Sequence, residues 1–215
     1  MFAKDVDLAR LEPQVFGDVV WAGQRRVRGA GGVSGSTLTL TTFDTNFAQG
    51  GVDAGMVVSV NGVPHEVIER TSATTLTISR VRASDGDDPI TPAPITSGVA
   101  EVMSFANQIG AAHAQVLAML GLAPGATDPA SGEIAEDRVL NPRELAPLEA
   151  AAALQMVYGS ASVLSGSTLP IAARASYYRR KFDDERQRAR AIIDTDGDGV
   201  GDATRRPNVV RFARG

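Results

Sequence analysis

The chain has 215 residues, of which 43% are hydrophobic, and a formal net charge of −4 at pH 7. This length and composition allow one sizeable core or two smaller ones. The chain contains no cysteine, which excludes disulfides, thiolate metal sites and cysteine nucleophiles. No apolar run approaches the about 18 residues that span a bilayer, and Lys4, Asp5, Asp7 and Arg10 interrupt the start of the chain. We therefore expect a soluble protein that is not secreted and does not contact a membrane.

The first half of the chain changes from a helical to a strand pattern. Leu8, Leu11 and Val15 have helical spacing, interrupted by Pro13, and predict one short helix. From about residue 21 apolar residues alternate with polar ones, which predicts strands at 37–42, 56–60, 64–69, 74–79 and 98–104. The pair Asn61 and Gly62 favours a type I′ hairpin turn. The glycine-rich segment 29–35 has no strand before it and no helix after it, so it is interpreted as a flexible loop.

Three helices are predicted in the second half. The first covers 105–120 and stops at Gly121, and the second begins at Asn141 and Pro142. The third runs from about Thr168 to Ile193 and is heavily charged in its second half. The predicted fold class is therefore α+β, with a bundle of about four helices and a small inserted antiparallel β-barrel or sandwich. The helical core would comprise 1–20 and 105–193, the β-domain 21–104, and the acidic turn and basic tail 194–215.

The run DTDGDGVGD at 194–202 has the spacing of a cation-binding loop. Carboxylates at positions one, three, five and nine and a carbonyl at seven could close most of a calcium shell, and glycine at position six permits the sharp turn. The candidate ligands are Asp194, Asp196, Asp198, Asp202 and the Val200 carbonyl. Arg205 replaces the usual twelfth-position glutamate, so the loop is incomplete as an EF-hand. The alternative is a metal-free turn that sets the direction of the tail, with Arg205 neutralising part of its charge.

Acidic and basic residues are segregated along the second half of the chain. The segment 128–149 holds six acids and two arginines, whereas 203–215 holds four arginines and no acid. The basic tail is typical of a nucleic-acid arm, of a peptide that docks on an acidic partner, or of a solvated terminus. For the charged half of the last helix, a solvated face is favoured over a nucleic-acid surface.

Signals for catalysis are weak. His65 lies in a predicted strand and His113 in a predicted helix, neither with a nucleophile or metal ligand at a useful spacing. No phosphate loop and no nucleophile elbow occur. A hydrolase would need a pocket with paired carboxylates, and the sequence does not locate one. We expect that the protein is not an enzyme.

The order of elements resembles the head-to-tail adaptor, or connector, proteins of tailed bacteriophages and gene-transfer particles. The residues that carry the resemblance are DLARLEPQVFGDVVWAGQ, GVDAGMVVSVNGVPHEVIERTSATTLTISR, YYRRKFDDERQRARAIIDTDGDGVGD and RRPNVVRFARG. The resemblance implies a ring, commonly of twelve copies, that lies in the virion neck between the portal and the tail or stopper. It also implies assembly in the host cytoplasm and passage of DNA through the channel without specific binding.

By the same resemblance the C-terminal tail would reach the portal. The residues assigned to that contact are Arg205, Arg206, Val209, Val210, Arg211, Phe212 and Arg214. A ring needs two different faces on each subunit, and the acidic segment 128–149 and the basic helix 174–190 are candidates. The interface residues predicted on them are Glu144, Glu149, Arg179, Arg180 and Arg186. A calcium-dependent scaffold or adhesion module remains the alternative function.

Overall fold

The computed structural model describes residues 1–19, 24–128, 132–164 and 169–207. The first half contains two short helices and six strands: α1 (Asp5–Leu11), α2 (Val15–Asp18), β1 (Arg25–Ser34), β2 (Thr37–Phe43), β3 (Val57–Val60), β4 (Val63–Arg70), β5 (Thr75–Arg80) and β6 (Ile95–Met103). The second half contains three long helices and a short hairpin: α3 (Ala106–Leu120), α4 (Pro142–Leu164), α5 (Leu169–Arg188), β7 (Ala191–Ile193) and β8 (Ala203–Arg205). A 3₁₀ turn covers Glu136–Arg138.

The chain forms two compact units. The barrel unit comprises Lys4–Ala106, and the helical unit comprises Met1–Ala3 with Asn107–Gly215. The expected domain boundaries placed 1–20 with the helices. In the structure α1 instead belongs to the barrel unit, where the Val6 N–H donates to the Gly55 carbonyl and contacts join α1 to β3. The Phe16 ring of α2 packs edge-on against Phe105, 5.1 Å between centroids, within the same unit.

The six strands of the barrel unit form a closed antiparallel barrel in the order β1-β2-β5-β4-β3-β6, with β6 pairing back to β1. Alternate side chains point inward because the strand period is two. The core that they form consists of Val27, Val33, Leu38, Leu40, Phe47, Val52, Val58, Val60, Val67, Leu76, Ile78, Ala100 and Val102. The β3–β4 turn has positive φ at both Asn61 (51°) and Gly62 (81°), so the predicted type I′ turn is confirmed.

Strand β1 occupies the segment that the sequence assigned to a flexible loop. Its glycines allow the neighbouring backbone to approach closely: a Cβ at Gly29 would overlap the Thr42 carbonyl oxygen, and one at Gly31 would lie 2.5 Å from that of Thr39. The β1–β2 register also shifts between Ala30 and Gly31, which marks a bulge. The loop prediction was wrong because glycine here serves close approach between strands rather than mobility.

The helical unit is centred on α4. An alanine-rich stretch of this helix, Ala150 to Ala153, is fully or almost fully buried, as are Leu145 and Leu148. Helix α3 ends at Gly121 (φ +64°), as expected. Helix α5 ends at Arg188 rather than near Ile193, because 191–193 pairs with 203–205 as the β7–β8 hairpin. Val139 also bridges Ile193, so the strand is held from two sides.

The predicted mixed α+β fold with an antiparallel barrel is thus confirmed, although the barrel has six strands and five were expected. The predicted bundle of about four helices is not confirmed. Among the described residues, no helix combines the length and the apolar character required to cross a bilayer.

Candidate functional site

Helix α5 is attached to α4 by a few large side chains. The Tyr158 and Tyr178 rings stack in parallel, with centroids 5.6 Å apart and an angle of 5° between their planes. The Arg174 guanidinium lies 5.6 Å from the Tyr158 ring centroid, in cation–π range. Phe182 is also buried. This attachment leaves the opposite side of α5 exposed.

The exposed side of α5 carries two of the predicted ring-interface residues. Arg179 and Arg180 are both exposed. Arg186 is partly exposed and lies 3.6 Å from Asp183 across one turn of the helix. Lys181 and Glu185 form an ion pair of 2.9 Å across one turn of the helix. Helix α5 therefore presents a basic surface near its middle.

The two acidic members of the predicted interface have different environments. Glu144 is exposed and accepts a hydrogen bond of 2.8 Å from the Asn141 side chain. Glu149 is fully buried, and its carboxylate accepts hydrogen bonds from the backbone N–H groups of Phe2 and Ala3, each at 3.2 Å. A buried carboxylate offers no charge to a neighbouring subunit, so Glu149 is removed from the predicted interface.

Glu149 belongs to a buried polar cluster that the sequence did not indicate. His113 of α3 donates from Nδ1 to Glu149 at 2.9 Å, and its Nε2 contacts the Glu136 carboxylate. The Phe2 ring packs edge-on against His113, 4.9 Å between centroids, and the Met1 amino nitrogen lies 3.6 Å from Glu136. The cluster thus joins residues 1–3, α3, α4 and the loop before α4.

The loop before α4 is organised by its own acidic side chains. Burial raises the pKa of Glu136. The hydrogen bond from the Gly125 N–H and the interactions with His113 and the Met1 amino group lower it by more, so the Glu136 pKa lies below its ordinary value. Asp137 accepts hydrogen bonds from both the side chain (2.8 Å) and the backbone N–H (3.0 Å) of Thr127, which lower the Asp137 pKa. Both carboxyls remain ionised at neutral pH, and the loop keeps its negative charge.

The acidic run 194–202 forms the loop of the β7–β8 hairpin. Asp194 is 5% exposed, and its two oxygens accept the N–H groups of Gly197 (2.6 Å) and Gly199 (2.9 Å). The Gly199 hydrogen bond is the largest cause of a lowered Asp194 pKa. Both glycines have positive φ, 88° and 85°, which residues with a Cβ adopt only with strain. The predicted sharp turn at Gly199 is confirmed.

Three of the predicted cation ligands lie together. One carboxylate oxygen from each of Asp194, Asp196 and Asp202 lies within 4.8 Å of the others. Asp198 is not in this group, and its Oδ1 accepts the Val200 N–H at 2.7 Å. An all-oxygen donor set suits a hard cation such as calcium. The cluster therefore has the chemistry, though not the full ligand set, of a calcium site.

Arg205, which was predicted to neutralise part of the loop's charge, is bound to the end of α3. Its guanidinium Nη1 donates to the carbonyls of Leu120 (3.1 Å) and Gly121 (2.5 Å), so it caps the C-terminal end of α3. The Arg138 guanidinium lies 3.9 Å from the Asp194 carboxylate. Arg205 is partly exposed, and its predicted portal contact stays a prediction.

Arg206 is exposed, and its predicted partner contact stays a prediction. The remaining predicted contact residues, Val209, Val210, Arg211, Phe212 and Arg214, lie outside the described residues.

Compared with known proteins, the chain matches no protein-family model, and no curated protein or solved structure is significantly similar to it.

Proposed function

We propose that the protein is a structural adaptor subunit that forms a ring between the portal and the tail or stopper in the neck of a tailed phage or gene-transfer particle. One observation carries the proposal: the helical unit exposes two surfaces of opposite charge. Arg179 and Arg180 form the basic surface on α5. The exposed acidic surface lies on the loop before α4 and on the first turn of α4. It consists of Asp128, Glu133, Asp137 and Glu144.

Opposite charges on two different surfaces favour head-to-tail association. A contact in which one face meets a different face of the next subunit generates a ring when its rotation closes. Complementary charge steers such encounters and rejects like-charged pairings. In this proposal the helices form the ring wall as a bundle, the barrel unit is an accessory domain, and the segment from Arg206 onward contacts the portal. DNA passes through without specific binding, and the protein catalyses no reaction.

Reversing the basic surface tests the ring. We expect Arg179→Glu with Arg180→Glu to weaken self-association at low salt by at least about tenfold, because attraction becomes repulsion. Mass photometry and negative-stain images of the purified protein measure the ring fraction. Arg80→Glu, at an exposed arginine of the barrel unit, is the matched control. Adding Glu144→Arg to the reversed variant should restore part of the ring. Undiminished assembly of the reversed variant at low salt would contradict the charge pairing.

The acidic loop supports a second candidate, a calcium-dependent scaffold or adhesion module. The observation that favours it is the convergence of Asp194, Asp196 and Asp202 within 4.8 Å. These residues would hold the ion, and the ion would neutralise their mutual repulsion and stiffen the β7–β8 hairpin. In an adaptor, the same loop would hold the β7–β8 hairpin in a fixed conformation.

Calcium should stabilise the protein if this loop binds it. At a free concentration of about 100 times Kd, a ligand of the native state adds about 2.7 kcal/mol, so the Tm should rise by several degrees and fall again with chelator. Asp196→Asn should abolish the shift, whereas Asp44→Asn, an exposed residue of the barrel unit, should keep it. An identical Tm of the wild type in calcium and in chelator would rule out the metal.

A further inference from the structure

We propose that helix α5 of one subunit docks on the outer face of the β7–β8 hairpin of the next subunit. In this contact Tyr177 covers an apolar patch, and Arg179 and Arg180 lie beside the acidic loop 194–202. The apolar patch consists of Leu140, Ile192 and Val200. The proposal rests on the proposed ring, and it adds an apolar contact of defined position to the pairing of opposite charges.

The apolar patch lies on the face of the β7–β8 hairpin that points away from the core. Ala191 and Ile193 are fully buried, whereas Ile192 between them is 39% exposed. Leu140 is 43% exposed, and its N–H donates to the Ile192 carbonyl at 2.9 Å. A Cβ at Gly201 would overlap the Ile192 side chain and lie 3.7 Å from Leu140 Cδ1, so these two side chains meet above the glycine. Exposed apolar side chains that adjoin one another mark an interaction site.

Acidic side chains adjoin the patch at the loop end of the hairpin. Val200 is 61% exposed, and its N–H donates to Asp198 Oδ1 at 2.7 Å. Arg138 lies close to Asp194, the one buried carboxylate of the loop. The exposed carboxylates of the loop form no ion pair with any residue that the structure describes; they are Asp196, Asp198 and Asp202. This end of the hairpin therefore carries an excess of negative charge.

The open end of the hairpin carries charges of both signs. The Asn141 side chain accepts the Ile192 N–H at 2.8 Å. It donates to Glu144 at 2.8 Å and to the Arg190 carbonyl at 2.9 Å. Glu144, Arg190 and Arg206 are all exposed. The negative field of the hairpin is thus concentrated at its loop end, and the site suits an apolar side chain that has cationic neighbours.

The exposed face of α5 has this combination of side chains. Tyr177 is 52% exposed, and its ring packs edge-on against Tyr178, with 5.0 Å between centroids. Arg180 lies one helical turn further along, and neither Arg179 nor Arg180 forms an ion pair with a described residue. Asp184, one turn beyond Arg180, is also exposed. The cationic part of this face therefore adjoins Tyr177.

Charge selects α5 over the other exposed large apolar side chains of the three long helices. Among the described residues these are Val163 and Leu164 of α4, and the segment 150–173 that contains them has no charged side chain. Tyrosine and arginine are also the residue types that contribute most at interface hot spots. The hairpin face and the α5 face are different surfaces, so the contact is heterologous and can propagate around a ring.

The absence of cysteine allows a direct test by crosslinking at positions beside the two surfaces. Ser176 is exposed and precedes Arg180 by four residues, so it shares the same face of α5. Thr204 is exposed and is the partner of Ile192 in the β7–β8 pair, so both point to the same side of the hairpin. Ser176→Cys and Thr204→Cys are prepared as separate single variants, mixed, assembled and treated with a short bismaleimide.

We expect a covalent dimer that contains one copy of each variant, identified by mass spectrometry. A dimer formed by Thr204→Cys alone would show that two hairpins pair with each other, and it would overturn the proposal. A mixed dimer no more abundant than the dimers that each variant forms alone would overturn it as well.

A substitution without a change of charge separates this proposal from the ring and its charge pairing. We expect Tyr177→Ser to weaken self-association by at least about tenfold, because an aromatic side chain at the centre of the contact is lost. Val163→Ser, at an apolar side chain that is 78% exposed and lies outside the contact, is the matched control and should assemble like the wild type. A wild-type ring that persists undiminished in Tyr177→Ser would overturn the docking while leaving the ring intact. A wild-type protein that remains monomeric at all concentrations would contradict both.

Discussion

Replacing Glu149 by alanine is expected to lower the free energy of unfolding of the helical unit by about 3–5 kcal/mol, the cost of removing one partner from a buried charged network. The Glu149 carboxylate accepts hydrogen bonds from the N–H groups of Phe2 and Ala3 and from His113. Phe2 and Ala3 are 5% and 2% exposed. Without the carboxylate, two buried backbone donors and one ring nitrogen would lose their acceptor. Urea unfolding followed by the helical circular dichroism signal measures the loss.

Glu144→Ala provides the matched control on the same helix. Glu144 is exposed, and its substitution should change the unfolding free energy by less than about 1 kcal/mol. Glu149→Gln should be less harmful than Glu149→Ala, because one acceptor oxygen remains. A loss below about 1 kcal/mol in Glu149→Ala would mean that water replaces the carboxylate and that residues 1–3 are not held through it.

Strand patterns in the first half were predictable wherever one strand face is buried. Leu38 and Leu40 alternate with exposed threonines, and this local pattern defines β2. Strand β1 has no such pattern because its glycines have no side chains to bury. Its extended state depends on pairing with β2 and β6, which lie far along the sequence. Likewise, 191–193 continues a helical pattern, but pairing with 203–205 favours a strand.

Sites made of neighbouring residues were predicted better than sites assembled from distant segments. The positions of Asp194, Asp196 and Asp202 in one loop follow from spacing alone, and the three carboxylates do converge. Glu149 lies 36 residues from His113 and 147 from Phe2 in sequence. No local pattern links them, so an acid on an alanine-rich helix was interpreted as a surface charge. The one available signal was that both neighbours of Glu149, Leu148 and Ala150, are apolar.

Asp5→Asn is expected to stabilise the barrel unit at neutral pH. Asp5 is 4% exposed, and burial raises its pKa from 3.8 to about 6, against the opposing effects of the Phe105 N–H, Ser104 and Arg26. Below pH 3.8 both the folded and the unfolded states are protonated at this carboxyl, so it has no effect on stability there. Between 3.8 and about 6 the unfolded state loses the proton first, so stability falls as pH rises. Above this window the charged carboxylate costs about 3 kcal/mol.

Asparagine keeps the acceptor for the Phe105 N–H, which lies 2.7 Å from Asp5 Oδ1, without the buried charge. Urea unfolding of wild type and Asp5→Asn should therefore give a difference of about 2–3 kcal/mol at pH 7.5 that becomes small below pH 4. Asp44→Asn, an exposed residue of the same unit, should differ from wild type by less than about 0.5 kcal/mol at pH 7.5. Equal stability of Asp5→Asn and wild type at both pH values would show that the charged carboxylate is solvated. Lower stability of the variant at pH 7.5 would show that the Ser104 and Phe105 hydrogen bonds require the carboxylate itself.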